Sequence, residues 1–213
     1  MFDFSSTSLI QLVAGIPGLL MAMVIHEYAH ARMAAAMGDP TPEMMGRLTL
    51  NPVAHIDPIG LLMLFFVQFG WAKPVMINPG NFRDWRKGSL YVALAGPVSN
   101  LITAFVALSV IFLMVKLRLN LSYGLHMVLY LIVLYNVNFA IFNMIPLPPL
   151  DGSKVLMAFL PDEMAYKLES IQRYSFIILI ALVMTPVLGY ILIPLQRLFL
   201  GLFSGILSII FAI

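Results

Sequence analysis

Three residues with the chemistry of a metal site lie in an otherwise apolar stretch, VIHEYAH, at positions 24–30. His26 and His30 are four residues apart, so on an α-helix their side chains lie on the same face. Two imidazoles at this spacing can bind one zinc ion, with Glu27 between them placed to act on water. Zinc lowers the pKa of water towards neutrality, so Glu27 can take its proton. The pattern therefore predicts a zinc site that activates water.

The composition places this motif in a membrane. Of 213 residues, 61% are hydrophobic and 10% are charged, whereas a soluble domain has about 25% charged residues. Several apolar runs exceed the roughly 20 residues that cross a bilayer. A charged residue at membrane depth costs about 2.5–3.5 kcal/mol, which disfavours a chance occurrence of Glu27. The net charge of +2 gives no basis for a nucleic-acid partner, and without cysteine a metal must be held by His, Asp, Glu or backbone oxygen.

The expected fold is an all-α polytopic membrane protein, formed by one membrane-embedded domain over residues 1–213 with a catalytic core at about 8–160. About five spanning helices are predicted, with Pro186 and Pro194 interrupting the C-terminal helices at 172–212; the predicted helices are 8–37, 88–116, 125–147, 172–190 and 191–212. Residues 58–70 are apolar but short for a span, which predicts a re-entrant or peripheral segment. GRLTL at 46–50 and KPVMI at 73–77 predict small membrane-associated β-strands.

A catalytic zinc site needs three protein ligands and one open position. The candidates for the third ligand are His126, Glu43, Asp57 and Asp151. Asp151 is the most suggestive, since it follows an apolar helix and the proline-rich break IPLPPL. It is also a favourable N-cap for a helix that starts near Gly152. The residues alone leave these two roles of Asp151 evenly balanced.

Topology favours Asp151 as a ligand. Asp151 can meet His26 only if an even number of spans separates them, which requires 58–70 not to cross. The distribution of basic residues agrees with this arrangement, because cytosolic loops carry an excess of Lys and Arg. One side then carries only Lys116 and Arg118, and the other carries Arg32, Arg47, Lys73, Arg83, Arg86, Lys87, Lys154, Lys167 and Arg173. The basic side is predicted to be cytosolic, with the active site towards it.

Three motifs together resemble a known family. HEYAH in a membrane helix, AGPVSN at 95–100 and NMIPLPPLDG at 143–152 are similar to the motifs of the site-2 protease family of intramembrane zinc metalloproteases, in the same order. The resemblance covers roughly residues 15–160 and is to compact members without a PDZ or CBS domain.

The resemblance implies one Zn²⁺ per chain held by His26, His30 and Asp151, with Glu27 as general base. It implies that single-pass membrane proteins are cut within or near the bilayer, in regulated intramembrane proteolysis. It also places Asn143 near the site, either holding substrate or polarising the scissile carbonyl. A helix-end hydrogen bond is the alternative role of Asn143.

Several further residues are candidates for substrate binding, regulation or helix packing. Val75, Met76 and Ile77 could capture an unwound substrate by β-addition to an exposed strand edge. His55 could be a reversible fourth ligand with a regulatory role, although a hydrogen-bonded loop histidine is the simpler interpretation. Gly96-Pro97 predicts close helix packing or a bend, and Asn100 predicts a hydrogen bond to a neighbouring helix, with a catalytic role as the less favoured alternative.

Two other classes of function remain open. Intramembrane ionisable residues also occur in transporters and ion pathways, but there the polar groups are distributed across the membrane depth. A non-catalytic membrane scaffold is the second alternative, and the intact Glu27 argues against it. The expected location is a prokaryotic cell membrane, with the lipid bilayer as surroundings. The sequence leaves a homo-oligomer or a regulatory membrane partner open.

Overall fold

The computed structural model describes residues 6–60, 71–120 and 122–212. Short 3₁₀ turns lie at Pro79–Asn81 and Ile171–Tyr174. The helices that begin and end within these ranges are, in chain order, α1 (Ser6–Met37), α2 (Thr41–Met44), α3 (Pro52–His55), α4 (Trp85–Lys116), α5 (Tyr123–Asn143), α6 (Asp151–Phe159), α7 (Asp162–Ser170), α8 (Ser175–Met184) and α9 (Val187–Phe211).

Four helices in the described part of the chain are long and apolar enough to cross a membrane. They contain 28, 32, 21 and 25 residues and are Ile10–Met37, Trp85–Lys116, Tyr123–Asn143 and Val187–Phe211. Their length follows from near-continuous apolar sequence, because a span of about 30 Å takes roughly 20 residues at 1.5 Å each. The predicted spans 8–37, 88–116 and 125–147 correspond to the first three of these helices.

The C-terminal helices differ from the prediction. The expected span 172–190 is divided: it contains the ten-residue helix α8, which at about 15 Å is too short to cross, and its last four residues belong to α9. Pro186 ends this stretch because it lacks an N–H and disfavours helical geometry at Thr185 before it. The predicted break at Pro194 is wrong, since α9 runs through Pro194 without interruption.

The two predicted strands are also wrong within the described residues. GRLTL contains no strand, and its Arg47 N–H donates to the Pro42 carbonyl in a turn. Residues 73–77 contain no strand; the N–H groups of Lys73 and Val75, two residues apart, both donate into the unit, as in an extended chain. An isolated antiparallel bridge joins Ile56 and Ala72. The predicted re-entrant segment 58–70 lies, at 61–70, outside the described residues.

Contacts divide the chain into two compact units. The first unit comprises Met1–Ala22, Asn100–Phe142 and Ala181–Ile213. Its core consists of apolar side chains that recur mostly three or four positions apart, so that they lie on one face of each helix. The buried members are Ala104, Ala107 and Ile111 of α4 and Ile132, Val133, Val137 and Ile141 of α5, with Leu192, Phe199, Leu200 and Phe203 of α9 packed against them. The alanines of α4 allow close approach between helices in the apolar medium.

A buried amide network lies within the first unit. The Asn100 side-chain N–H₂ donates to the Ala22 carbonyl and to the Asn136 Oδ1, each at 2.9 Å. Asn136 in turn donates to the Ile132 carbonyl at 2.8 Å. Both asparagine side chains are fully buried, so these bonds offset the cost of removing the amides from water. The prediction that Asn100 bonds a neighbouring helix is confirmed.

The second unit comprises Met23–Ser99 and Asn143–Ile180. Its apolar cluster consists of the buried Ala34, Phe82 and Val92, with Met33, Met37 and Ile77 packed around them. This cluster joins the second half of α1 to the start of α4 and to the extended residues before it. All four residues that the HEYAH and LDG motifs single out belong to this unit.

Candidate metal centre

Three ligand atoms converge at one point in the second unit. The Nε2 atoms of His26 and His30 lie 2.9 Å apart, and each is 3.1 Å from Asp151 Oδ2. All three residues are buried, and within the described ranges they form the one group of His, Asp or Glu with the spacing of a metal site. The expected ligand set is therefore brought together across a sequence separation of more than 120 residues.

The hydrogen bond made by the other nitrogen of His30 fixes its role. His30 Nδ1 lies 2.7 Å from the Val92 carbonyl oxygen, which can only accept, so Nδ1 carries the proton. In a neutral imidazole Nε2 then presents its lone pair. Metal-bound histidines in proteins commonly have this arrangement, because the second bond orients the ring and makes Nε2 a better ligand.

Asp151 is the first residue of α6, and the cap residue before it is Leu150. The side chain of Asp151 therefore does not serve as the N-cap of α6, and its Oδ2 reaches both imidazoles instead. Its other oxygen, Oδ1, lies 3.6 Å from the Lys154 ammonium. Burial alone would raise the pKa of Asp151, but His30 and His26 beside it hold that pKa far below its usual range. A positive charge at this point, on protonated imidazoles or on a metal ion, therefore favours the ionised carboxylate.

The donor set fits zinc. Zn²⁺ binds His nitrogen at about 2.0–2.1 Å and carboxylate oxygen at about 2.0–2.2 Å in a tetrahedron, which puts ligand atoms roughly 3.3 Å apart. The three observed separations are 2.9–3.1 Å, so a small outward movement accommodates the ion. Two nitrogen lone pairs and a carboxylate oxygen at this distance repel one another unless a proton or cation lies between them. A three-ligand set also leaves one position open, as in catalytic zinc sites.

Glu27 is held separately from the three ligands. Its Oε2 accepts a hydrogen bond of 2.9 Å from the Val75 backbone N–H. Val75 lies in the extended residues 72–78, which we call the strap. Because the strap engages one carboxylate oxygen of Glu27, the second oxygen is left to act on a substrate or water.

Gly96 of α4 provides the room that the two imidazoles occupy. A Cβ at this position would lie 2.5 Å from His30 Nε2 and 2.6 Å from His26 Cε1. Any side chain would therefore displace both ligands. The AGPVSN motif thus has a direct connection to the metal centre, beyond the close helix packing that its Gly-Pro pair predicted.

Gly152 has the corresponding role for the third ligand. A Cβ there would lie 2.2 Å from the Met144 backbone oxygen. Since that neighbour is backbone, it cannot rotate away as a flexible side chain would. A glycine directly after Asp151 lets α6 begin against the chain that follows α5, and this places the carboxylate.

The other candidates for the third ligand are not members of the converging group. His126 is exposed in the first turn of α5, and Glu43 is exposed in α2. Asp57 Oδ1 accepts backbone hydrogen bonds from Ile59 and Gly60, each at 2.9 Å. The sequence therefore offered four candidates, and the fold brings one of them to the histidines.

His55 and Asn143 belong to the same unit as the three ligands. His55 is fully buried in α3, and its Nε2 donates to the Thr49 carbonyl at 2.8 Å. Its Nδ1 has no partner among the described residues, and His55 is not in the converging group. Asn143 is the half-buried last residue of α5. The catalytic role of Asn143 and the regulatory role of His55 stay predictions.

Sequence reasoning missed two contributors to the site. Val92 has an unremarkable side chain, and only its backbone oxygen acts, so its sequence gives no signal. Lys154 could have been noticed because it lies three residues after Asp151, one turn along a helix. Its ammonium faces the carboxylate oxygen that is turned away from the imidazoles.

The Gly96→Ala variant tests the geometry of the centre. The added methyl group overlaps both imidazoles, so we expect zinc affinity to fall about 10–100-fold, the range seen when groups that orient metal ligands are changed. Competition with a fluorescent chelator measures this. Gly201→Ala in α9 is the matched control, because a Cβ there meets nothing within 4 Å. Wild-type affinity in Gly96→Ala would contradict the geometry.

Comparisons with known proteins agree with this centre. A family-wide sequence model described as peptidase family M50 matches residues 114–186, which include Asp151. "Putative zinc metalloprotease YwhC" of Bacillus subtilis is 37% identical over 180 residues, which cover 83% of this chain and 82% of that protein. "Putative zinc metalloprotease Rip2" of Mycolicibacterium smegmatis is 30% identical over 202 residues, 91% of this chain and 74% of that protein.

No solved structure matches the chain at a significant level. The extent of the similarity to YwhC, the family match and the converging ligands all lead to one assignment. The chain belongs to peptidase family M50, the site-2 protease family, and is a membrane zinc metalloprotease.

Proposed function

We propose that this protease hydrolyses peptide bonds in or beside the membrane-spanning segments of single-pass membrane proteins, as a step of regulated intramembrane proteolysis. The observation that carries the proposal is the position of the ligands on a spanning helix. From Ile10, where the candidate span begins, to His26 is about 24 Å of helix at 1.5 Å per residue. His26 and His30 are both buried at this depth, so a peptide must enter the bilayer region to reach them.

The chain supplies the metal ligands and the base. His26, His30 and Asp151 would hold the zinc ion. When bound, zinc supplies Lewis-acid chemistry, which polarises a peptide carbonyl and makes water more acidic near neutral pH. Glu27 removes a proton from the attacking water as the new C–O bond forms. It then delivers that proton to the amide nitrogen as the C–N bond breaks.

The hydrogen bond from Val75 supports the assignment of Glu27 as base. A carboxylate with one oxygen held by a backbone N–H keeps a fixed orientation, and its second oxygen can face water. Catalysis by a positioned base contributes about 10²–10⁴-fold in rate. Asn143, at the end of α5 in the same compact unit as the ligands, would donate its amide N–H to the carbonyl oxygen where negative charge develops.

The strap gives the substrate a backbone edge. In an extended chain, successive residues direct their N–H and C=O groups to opposite sides. The N–H groups of Lys73 and Val75 face the protein, where they donate to the His55 carbonyl and to Glu27, each at 2.9 Å. Met76 between Val75 and Ile77 is exposed, and its backbone groups face the other way. An unwound substrate would pair with Met76, with Val75 and Ile77 supporting it from within the unit.

The active site is proposed to open towards the cytosol. The residues between the end of α1 and the start of α4, which adjoin the metal centre in sequence, carry Arg47, Lys73 and Arg83. The opposite end of α4 carries Lys116 and Arg118 alone. Basic loops favour the cytosolic side. The relatives come from bacteria, which supports a multi-pass protein of a bacterial cell membrane.

The rival functions are less well supported. An ion pathway needs titratable groups through the membrane depth, whereas the buried titratable side chains in the described spans, His26 and His30, lie about one helical turn apart. A non-catalytic scaffold would not need a carboxylate held beside a complete ligand set.

The Glu27→Gln variant tests proteolysis directly. Glutamine retains a carbonyl oxygen for the Val75 N–H but cannot accept a proton, so we expect zinc to be retained and cleavage to fall by about 10²-fold or more. Wild-type and variant chains are expressed in the same bacterial host. Mass spectrometry then compares new peptide termini that lie within or next to single-pass spans.

Such termini should appear with the wild type and be absent with Glu27→Gln. An equal set with both proteins would contradict the proposal. A zinc-loaded wild type that produces no such termini and conducts an ion across vesicles would instead favour the ion pathway.

The Met76→Pro variant tests the substrate edge. Proline removes one N–H from that edge, and the extended strap tolerates its φ angle, so we expect cleavage of a substrate found above to fall about tenfold with zinc retained. Met76→Ala keeps the N–H and should cleave like the wild type. Undiminished cleavage by Met76→Pro would sink the idea of backbone pairing at this residue.

A further inference from the structure

The strap is tied to the rest of the second unit at both ends and at its centre. At its start Ala72 bridges to Ile56, and the Lys73 N–H donates to the His55 carbonyl. At its centre Val75 donates to Glu27. At its end the Asn78 N–H donates to Asp39 Oδ2 at 2.7 Å. The contact with Glu27 therefore lies between two points at which the strap is bonded to the unit. We call these points its anchors, one at His55 and Ile56 and the other at Asp39.

Asp39 is the more strongly bonded of these anchors. It is fully buried, directly after the C-terminus of α1 and Gly38. Its Oδ1 accepts from the Thr41 N–H at 3.1 Å, the Thr41 hydroxyl at 2.6 Å and the Asn81 side-chain N–H₂ at 2.8 Å. Oδ2 accepts the hydrogen bond from the Asn78 N–H. Oδ1 therefore stabilises the turn after α1, whereas Oδ2 holds the strap.

The ionisation of Asp39 agrees with this arrangement. Burial by itself would raise the pKa of Asp39, but the hydrogen bonds from Thr41, Asn81 and Asn78 outweigh it and hold the pKa below its usual value. The anchor is therefore a carboxylate at neutral pH. Hydrogen bonds to an ionised acceptor are stronger than those between neutral groups.

We propose that Asp39 is a positioning residue for Glu27, acting through the strap: its carboxylate fixes Asn78, and the strap in turn holds the Val75 N–H on the Glu27 carboxylate. Asp39 follows Glu27 by twelve positions in the sequence, and neither the HEYAH motif nor the set of zinc ligands includes Asp39. The inference rests on the proposed role of Glu27 as base.

The stretch of the strap that joins Val75 to Asn78 is short. Val75 and Asn78 are three residues apart, at most about 11 Å of fully extended chain. A release of the Asn78 end lets the strap rotate about its remaining attachment near Lys73, which moves the Val75 N–H. Without that donor the Glu27 carboxylate gains rotational freedom, and misplacement by about 1 Å can cost about 10²-fold in rate.

The Asp39→Asn variant separates the two oxygens. The asparagine carbonyl takes the place of Oδ1 and keeps the bonds from Thr41 and Asn81. Its NH₂ takes the place of Oδ2 and confronts the Asn78 N–H, donor against donor. The variant therefore releases the strap while it leaves the turn after α1 capped.

Two measurements on zinc-loaded full-length protein in detergent micelles test the two steps of the proposal, from Asp39 to the strap and from the strap to Glu27. Hydrogen exchange measured by mass spectrometry on the peptide around residues 73–78 reports the strap, and we expect the Val75 and Asn78 amides to exchange at least about tenfold faster in Asp39→Asn. Binding of acetohydroxamate, which coordinates zinc and bonds to the neighbouring carboxylate, reports Glu27. Its affinity should fall to a value between those of the wild type and Glu27→Gln.

Asp84→Asn is the matched control. Asp84 also accepts a local backbone hydrogen bond, from the Lys87 N–H at 3.1 Å, but it does not touch the strap. It should leave both readouts at wild-type values. Thr41→Val, which removes one bond that orients Asp39, replaces Asp39→Asn if the latter does not bind zinc. It should shift both readouts in the same direction by a smaller factor.

The positioning role is overturned if the chosen Asp39 or Thr41 variant exchanges at Val75 like the wild type. It is equally overturned if exchange accelerates while hydroxamate affinity does not change, because the strap would then be uncoupled from Glu27. Neither readout needs a substrate. A failure of the protease proposal, seen as absent cleavage by the wild type, is therefore distinguishable from a failure of this one.

Discussion

The structure depends on holding two imidazole nitrogens and a carboxylate oxygen about 3 Å apart inside an apolar fold. Like any cluster of lone pairs out of water, this one is unfavourable unless a cation completes it. The neighbouring residues serve that requirement. Val92 fixes the ring of His30, Gly96 clears space for both imidazoles, and Gly152 lets α6 start where its carboxylate can reach them.

The polar groups of this chain are few, and almost all of the described buried ones are hydrogen-bonded. Asn100 and Asn136 satisfy each other and two backbone carbonyls in the first unit. Asp39 accepts four hydrogen bonds in the second unit. In both cases a buried polar side chain joins pieces of chain that are distant in sequence. Apolar packing without direction would leave those pieces free to slide, so such bonds set the geometry near a site that needs it.

How much of this followed from the sequence depends on the range of each signal. The ligands His26 and His30 and the base Glu27 follow from local spacing, and Asp151 follows from topology and resemblance. The first three spans follow from apolar length. The strands at 46–50 and 73–77 were wrong because alternation in the sequence does not tell which partner takes the backbone N–H. In the strap the partners at Val75 and Asn78 are carboxylates.

The remaining differences have the same origin in long-range contact. From the sequence, Gly96 is interpreted as a helix-packing glycine and Asp39 as a turn residue. The fold shows that Gly96 lies against the two histidines and that Asp39 accepts a hydrogen bond from Asn78. Residues 172–190 read as a span because their composition is apolar, yet Pro186 divides them. Composition indicates that a segment lies in apolar surroundings, whereas a single proline can decide where its helix ends.

Tightly bound zinc per purified chain, measured in the wild type and in Asp151→Ala, tests most directly whether His26, His30 and Asp151 form one zinc site. We expect about one zinc ion per wild-type chain, and its loss or marked weakening in the variant, because a three-ligand site is reduced to two. A zinc site formed by these three residues is ruled out if well-folded wild-type protein binds no zinc after metal addition, or if Asp151→Ala binds zinc as tightly as the wild type.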